Sequence, residues 1–247
     1  MFDYAAPKYF GPSGKRRGVG QHPHRGFETV TLAFQGEIEH ADSTGMSDTI
    51  RAGDVQWMTA GRGIIHEEFM STEFSQKGGE LEMCQLWLNL PKKDKMSPPG
   101  YQAITQQQIP NAPLSSGDPE HGYVRVIAGD YNSTGGAATT FTPVNLWDIV
   151  MHTPSVPFAF IIPAGHNTVL FVRRGSIELE GQQLGGQQVA ILEQPGTLLE
   201  ITALEPETSV LLLGGEPIDE PIAARGPFVM VSTQAQSPPQ LDAQGSC

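Results

Sequence analysis

QHPHRGFETVTLAFQGEIEH, residues 21–40, decides the reading of the whole chain. From Phe27 to His40 the residues alternate around β-branched side chains, which is the pattern of strands rather than helices. Gly36 breaks the run in two. Working outward, a Gly-rich turn (STGMSDTIRAGD, 43–54) leads to VQWMTA (55–60), then IIHEEFM (64–70) and ELEMCQLWLNL (80–90). Short runs punctuated by Gly and Asp predict a β-sandwich or barrel. The polar, proline-rich segment Pro91–Gly122 reads as a long crossover, in part helical or extended.

A second β series starts at YVRVIAGD (123–130) and runs through LWDIVMHT, PFAFIIPAGHNTVLFVRRGSIELEG, QQVAILEQPGTLLEITA and SVLLLGGEPI. TVTLAFQGEIEH (29–40) parallels TVLFVRRGSIELE (168–180): a β-rich strand meets Gly, and an amphipathic strand follows. The parallel predicts two tandem β-barrels, residues 1–122 with the crossover and 123–231. The polar tail, 232–247, reads as disordered.

Composition narrows the function classes. Lys and Arg number 15 against 27 Asp and Glu, a net charge of −12. Such a chain lacks the basic field that phosphate backbones require, so direct nucleic-acid binding is not expected. Cys84 in its apolar run and Cys247 at the end make no disulfide framework, which fits a reducing compartment. MFDYAAPKYF has no basic region leading into an apolar one, and no apolar stretch approaches the ~18 residues of a membrane span. A cytoplasmic protein without a membrane anchor is expected.

The chemistry sits in two strings. In His22-Pro23-His24 the two imidazoles project to one side of an extended chain. In His66-Glu67-Glu68 the same spacing puts His66 and Glu68 on one face and Glu67 on the other. Either string alone arises readily by chance. Together, separated by strand–turn–strand, they can hold one transition metal with three His and one carboxylate. That donor set suits Fe(II), with Zn, Mn, Ni, Co or Cu as other occupants. Glu28 competes with Glu68 for the carboxylate role, because regular strand parity would place it beside His22 and His24. The other histidines read as bystanders: His40 at a strand end beside Asp42, exposed or bonded to it; His121 in the crossover; His152 alone on a strand; His166 in a tight turn.

H-x-H-x₃-E followed by Gly36 resembles the first motif of the cupin superfamily, and Gly53–His66 resembles the second. More narrowly, HPHRGFETVT, DVQWMTAGRGIIHEE, QLWLNLP, PAGHN and GPFVM, with the opening DYAAPKYF, resemble the pirin family from about Phe2 to Met230. The resemblance implies an all-β bicupin, two jelly-roll barrels with metal only in the N-terminal one. It implies His22, His24, His66 and Glu68 as ligands of one metal, usually Fe, and so favours Glu68 over Glu28. Pirins usually carry some tens of residues before the DYAAP-like stretch and end in a helix after GPFVM. This chain departs from them at both ends.

Two functions follow from the resemblance. One is a quercetin 2,3-dioxygenase type of oxidoreductase, cleaving flavonols with O₂, with Glu68 as catalytic base and Phe34, Met58, Leu86 and Trp87 on segments that line an apolar cleft. The other is a non-enzymatic, metal- or redox-dependent regulator that binds a transcription factor or a metabolic enzyme, with Arg25 and Arg62 near the ligands as contact residues.

Overall fold

The computed structural model describes residues 1–115 and 118–233. Those residues are almost all β and fall into two compact units. The first runs to Gln106 and takes up the chain again from Ile218. The second spans Gln107–Pro217. The division therefore lies earlier than the expected Gly122, because the proline-rich segment is not one connection. It gives a strand to each unit, Gly100–Ile104 to the first and Asn111–Ser115 to the second. Of the expected tail, 234–247 lie outside the described residues, Cys247 among them.

The first unit contains β1 (Phe2–Phe10), β2 (Gly18–His24), β3 (Phe27–Gln35), β4 (Glu37–Asp42), β5 (Ser47–Arg51), β6 (Val55–Thr59), β7 (Ile64–Met70), the short helix α1 (Thr72–Lys77), β8 (Gly79–Asn89) and β9 (Gly100–Ile104). They form two antiparallel sheets, ordered β1-β8-β3-β6-β9 and β2-β7-β4-β5, the double-sheet arrangement of a jelly roll. One end of the space between them is apolar. Ala33, Ile38, Ile50, Met70, Phe74 and Leu81 are buried there, with Phe10 and Met83 packed on them. The remaining inward face is polar, and it carries the site.

Helix α1 plugs this apolar end with Phe74. It is too short to hold by propensity, and Ser71 fixes it. Its hydroxyl accepts from the Phe74 N–H at 3.0 Å and donates to Glu37 Oε2 at 2.6 Å. Loss of the cap and of a buried hydrogen bond predicts that Ser71→Ala costs ~1–2 kcal/mol. Chemical denaturation with a probe in the first unit measures it.

The second unit repeats the plan. A six-stranded antiparallel sheet (Asn111–Ser115, Asp118–Ala128, Val144–Met151, Thr208–Gly215, Asn167–Arg174, Val189–Leu192) faces a four-stranded one (Pro157–Ile161, Leu198–Ala203, Ser176–Leu179, Gln182–Gly185). Trp147, Phe160, Leu170, Ile201 and Val210 are buried between them. The expected duplication shows at the turn where the chain changes sheets. β3 passes to β4 of the other sheet through Gly36 at φ 82°, and Asn167–Arg174 passes to Ser176–Leu179 through Gly175 at φ 75°. A Cβ would strike Leu81 and Glu80 at the first turn and Thr208 at the second. Among the described residues, no helix is long and apolar enough to cross a membrane.

Candidate metal centre

The site is built on β7, which lies between β2 and β4. His66 stands opposite His22 on β2 and opposite Asp42 on β4. Two residues on, Glu68 stands opposite His40. Side chains two apart on a strand, and those directly opposite across a pair, share a face. His22, His24, His66, Glu68, His40 and Asp42 therefore point inward together. Glu67 points out, where it pairs with Arg16 at 3.3 Å.

The inward face meets β3 and β8. Gln85 Nε2 donates to Glu68 Oε1 at 2.8 Å and to Thr31 Oγ1 at 3.2 Å. Met58 and Trp87 flank Thr29 on the same face. The Trp87 ring lies 5.2 Å from His24 and 4.4 Å from Phe27. Of the four expected cleft residues, Met58 and Trp87 face the site. Leu86 lies opposite Val30 on the other face, and Phe34 falls within the β3 bulge.

The rings of His22, His24 and His66 cluster with centroids 4.3–4.8 Å apart. Each can offer a nitrogen within 4.8 Å of the others. A second trio at the same spacing joins His66 to His40 and Glu68. His66 belongs to both, and no such trio occurs among the described residues of the second unit. Burial strips these rings of charge. His66 is pushed down to about 2, first by desolvation and then by His24, His22 and His40. His24 is pushed down to about 4 by desolvation and then by His22, with the Pro227 carbonyl opposing. Both are neutral at physiological pH, so no proton need leave before a metal binds. Burial also pushes the Glu68 carboxyl up, against Gln85 and His22, which favour its charged form. Both ring nitrogens of His66 are buried with no hydrogen-bond partner among the described residues. Orphaned nitrogens on a shared histidine face are the expected state of ligands awaiting an ion.

Glu28 lies elsewhere. Gly26, at φ 85°, turns the chain from β2 into the other sheet, so strand parity does not carry from His24 to Glu28. Glu28 shares the face of Val30, opposite to that of Thr31. Its carboxyl is buried, raised by desolvation, and accepts from Thr59 Oγ1 at 2.7 Å. It belongs to neither trio.

His40 corrects another expectation. It is 2% exposed rather than a surface residue, and its Nδ1 lies 3.4 Å from Glu68 Oε1. The missed signal is its parity with Glu68, which appears only once β4 is paired with β7. The remaining histidines stay apart from the cluster: His121 Nδ1 sits 3.2 Å from Thr153 Oγ1, and His152 Nδ1 sits 2.7 Å from Glu207. Cys84 is fully buried, and desolvation first, then Asp3, pushes its thiol up. Arg25 makes a long contact to Met96 Sδ, and Arg62 is exposed.

A late segment completes the first unit. A hairpin of Ala223–Arg225 and Phe228–Met230 lies against Arg25, which exchanges backbone hydrogen bonds with Pro227 and Val229. Lys95, 2% exposed, fastens it. Its Nζ donates to Gly26 O at 2.8 Å, Val229 O at 2.8 Å and Asn89 Oδ1 at 2.6 Å, which uses all three protons.

Two family models match: pirin over residues 1–88, and the pirin C-terminal cupin domain over 146–236. A Pseudomonas aeruginosa protein provisionally named a quercetin 2,3-dioxygenase is 47% identical over 95% of this chain and 80% of its own. Pirin-1 of Arabidopsis thaliana is 38% identical over 87% of this chain and 72% of its own. The crystal structure of a quercetin 2,3-dioxygenase from Acinetobacter baumannii superimposes with a TM-score of 0.90 at 48% identity, covering 94% of this chain and 80% of that one. Two jelly-roll barrels in one chain, with a His/Glu centre in the first, define an all-β bicupin. Within that class, the chain belongs to the pirin family of the cupin superfamily.

Proposed function

We propose that the protein is a metal-dependent dioxygenase that cleaves flavonols such as quercetin with O₂. It would hold one divalent transition metal, Fe(II) first among the candidates, on His22, His24, His66 and Glu68. The observation that carries this reading is the buried inward face on which neutral His24 and His66 cluster with His22, two residues along the strand from Glu68. The relatives' names supply the reaction class.

When bound there, such an ion supplies Lewis acidity toward the 3-hydroxyl and the neighbouring carbonyl of a flavonol. The chain does the rest. Gln85 fixes Glu68 through Oε1, and Glu68 takes the 3-hydroxyl proton at Oε2. Burial raises Glu68 toward neutral pH, which suits a general base. Met58, Trp87 and Phe27 offer the flat apolar surface that an aromatic ring system needs. O₂ adds to the ring, which opens with release of carbon monoxide.

The test is anaerobic purification, metal quantification, and quercetin loss followed together with dissolved O₂. One metal per chain with coupled consumption of both reactants is the expected result. Full metal with no turnover would overturn the enzymatic reading in favour of a regulator that binds a protein partner. Carboxylate substitutions separate the two candidates. Glu68→Gln is expected to lower turnover ~10²–10⁴-fold, as loss of a general base does, and to weaken metal retention. Glu28→Gln keeps both, because a glutamine oxygen still accepts from Thr59. Metal loss in Glu28→Gln alone would reverse the assignment.

A further inference from the structure

Beside the centre lies a cavity of about 190 Å³, lined by His40, Asp42, Met46, Gln56, Tyr101 and Ala103, with Ser47 and Asp48 at its margin. Its inner wall is polar in an unusual way. His40 Nε2, Asp42 Oδ2 and Tyr101 Oη are all buried, and none makes a well-formed hydrogen bond among the described residues. An unpaired buried polar atom costs ~1–3 kcal/mol, so three around one cavity need an explanation beyond packing. The backbone accounts for their convergence. Asp42 and His40 face inward from β4, while Tyr101 and Ala103 of β9 stand opposite Met58 and Gln56 of β6. Exposed Met46 leaves the mouth open to solvent.

Size restricts what can fill the cavity. Sites that enclose a whole drug-sized ligand run to ~300–1,000 Å³, whereas a cavity of about 150 Å³ accepts a benzene ring. This one suits a single ring and no more. Chemistry restricts it further. Asp42 accepts hydrogen bonds. Burial first, with Asp42 next, holds the Tyr101 hydroxyl above the ordinary phenol range, so it stays protonated and can donate as well as accept. A ring bearing two adjacent hydroxyls donates to Asp42 and to the His40 nitrogen and accepts from Tyr101. Water could pair the same atoms but would gain nothing from Met46, Ala103 and the ring face of Tyr101. His40 lines the cavity and also stacks on His66, with centroids 6.4 Å apart, so an occupant lies next to the proposed centre.

We infer that this cavity is a specificity subsite that seats a vicinally dihydroxylated phenyl ring of the substrate, read by Asp42, Tyr101 and His40. The inference rests on the flavonol reading above and narrows it to one hydroxylation pattern.

The experiment measures anaerobic equilibrium binding to the metal-loaded protein by quenching of tryptophan fluorescence. The probes are three flavonols that differ only in the pendant ring, which carries no hydroxyl, one, or two adjacent ones. The dihydroxylated flavonol is expected to bind ~10–100-fold more tightly than the unsubstituted one, the range for one or two well-placed buried hydrogen bonds. Tyr101→Phe and Asp42→Asn are each expected to shrink that ratio toward one with metal content unchanged. Asp42→Asn keeps the Oδ1 atom that accepts from Thr44, and Tyr101→Phe keeps the ring, so one variant stands if the other misfolds. Equal binding of all three flavonols to the parent protein would overturn the subsite and leave the flavonol reading intact. A preference that survives both variants would place the discrimination elsewhere, for instance in chelation of the metal by the diol, and would also overturn it. If no flavonol binds the fully metallated protein, the flavonol reading itself fails and the subsite with it.

Discussion

His22→Ala, His24→Ala and His66→Ala are each expected to reduce bound metal from about one per chain to below a tenth, and to abolish any metal-dependent turnover. The reason is geometric. The three rings lie within 4.8 Å of one another, so each supplies a donor that no neighbour can replace from the same direction. His66→Ala should be the most severe, since His66 is shared by both trios. The fold should survive. Two rings remain in each variant, and His22 is only half-buried. Removing His66 also relieves two unsatisfied buried nitrogens, which offsets part of the cavity it leaves. Metal analysis after dialysis, beside far-ultraviolet circular dichroism, checks both halves of the expectation. Retention of full metal by all three variants would refute the centre.

Gly26→Ala is the second large effect, and it acts on stability. Gly26 sits at φ 85°, where a side chain is strained, and a Cβ there would fall onto the carbonyl oxygen of Val229 and the Met230 sulfur. Left-handed strain accounts for ~1 kcal/mol. Displacing the hairpin costs more, because Lys95 then loses acceptors while its charge stays buried. A total of ~2–4 kcal/mol is expected. Hydrogen exchange at the Val229 N–H, which donates to the Arg25 carbonyl, reads it locally and should accelerate by ~30-fold or more for 2 kcal/mol. Because the chain has two units, a local probe is preferable to a single unfolding midpoint.

The parts of this architecture that depend on local pattern were legible in the sequence. Period-two alternation marked the strands, and the Gly36 and Gly175 turns marked the duplication. The i, i+2 spacing of His22 with His24 and of His66 with Glu68 placed each pair on one face, and that holds here. What was not legible depends on register between distant strands. His40 could not be assigned from its own neighbours, because it meets Glu68 only through the pairing of β4 with β7. The parity that made Glu28 a rival fails at one residue, Gly26, which sends the chain into the other sheet. Tyr101 lay in a stretch whose prolines and polar residues hid the strand Gly100–Ile104. The boundary near Gln106 and the return from Ile218 were hidden for the same reason: a strand's owner is set by its partner, not by its composition.

The hairpin that closes on Arg25 has a consequence for the order of events during biosynthesis. The segment that touches His24 through the Pro227 carbonyl and is pinned by Lys95 leaves the ribosome only after the whole second unit has been made. A nascent chain halted anywhere between Gln106 and Ile218 carries all four proposed ligands but lacks the piece that seals them. Ion capture by the finished centre is therefore a post-translational step, and stalled chains should surrender their ion to a chelator far faster than released ones.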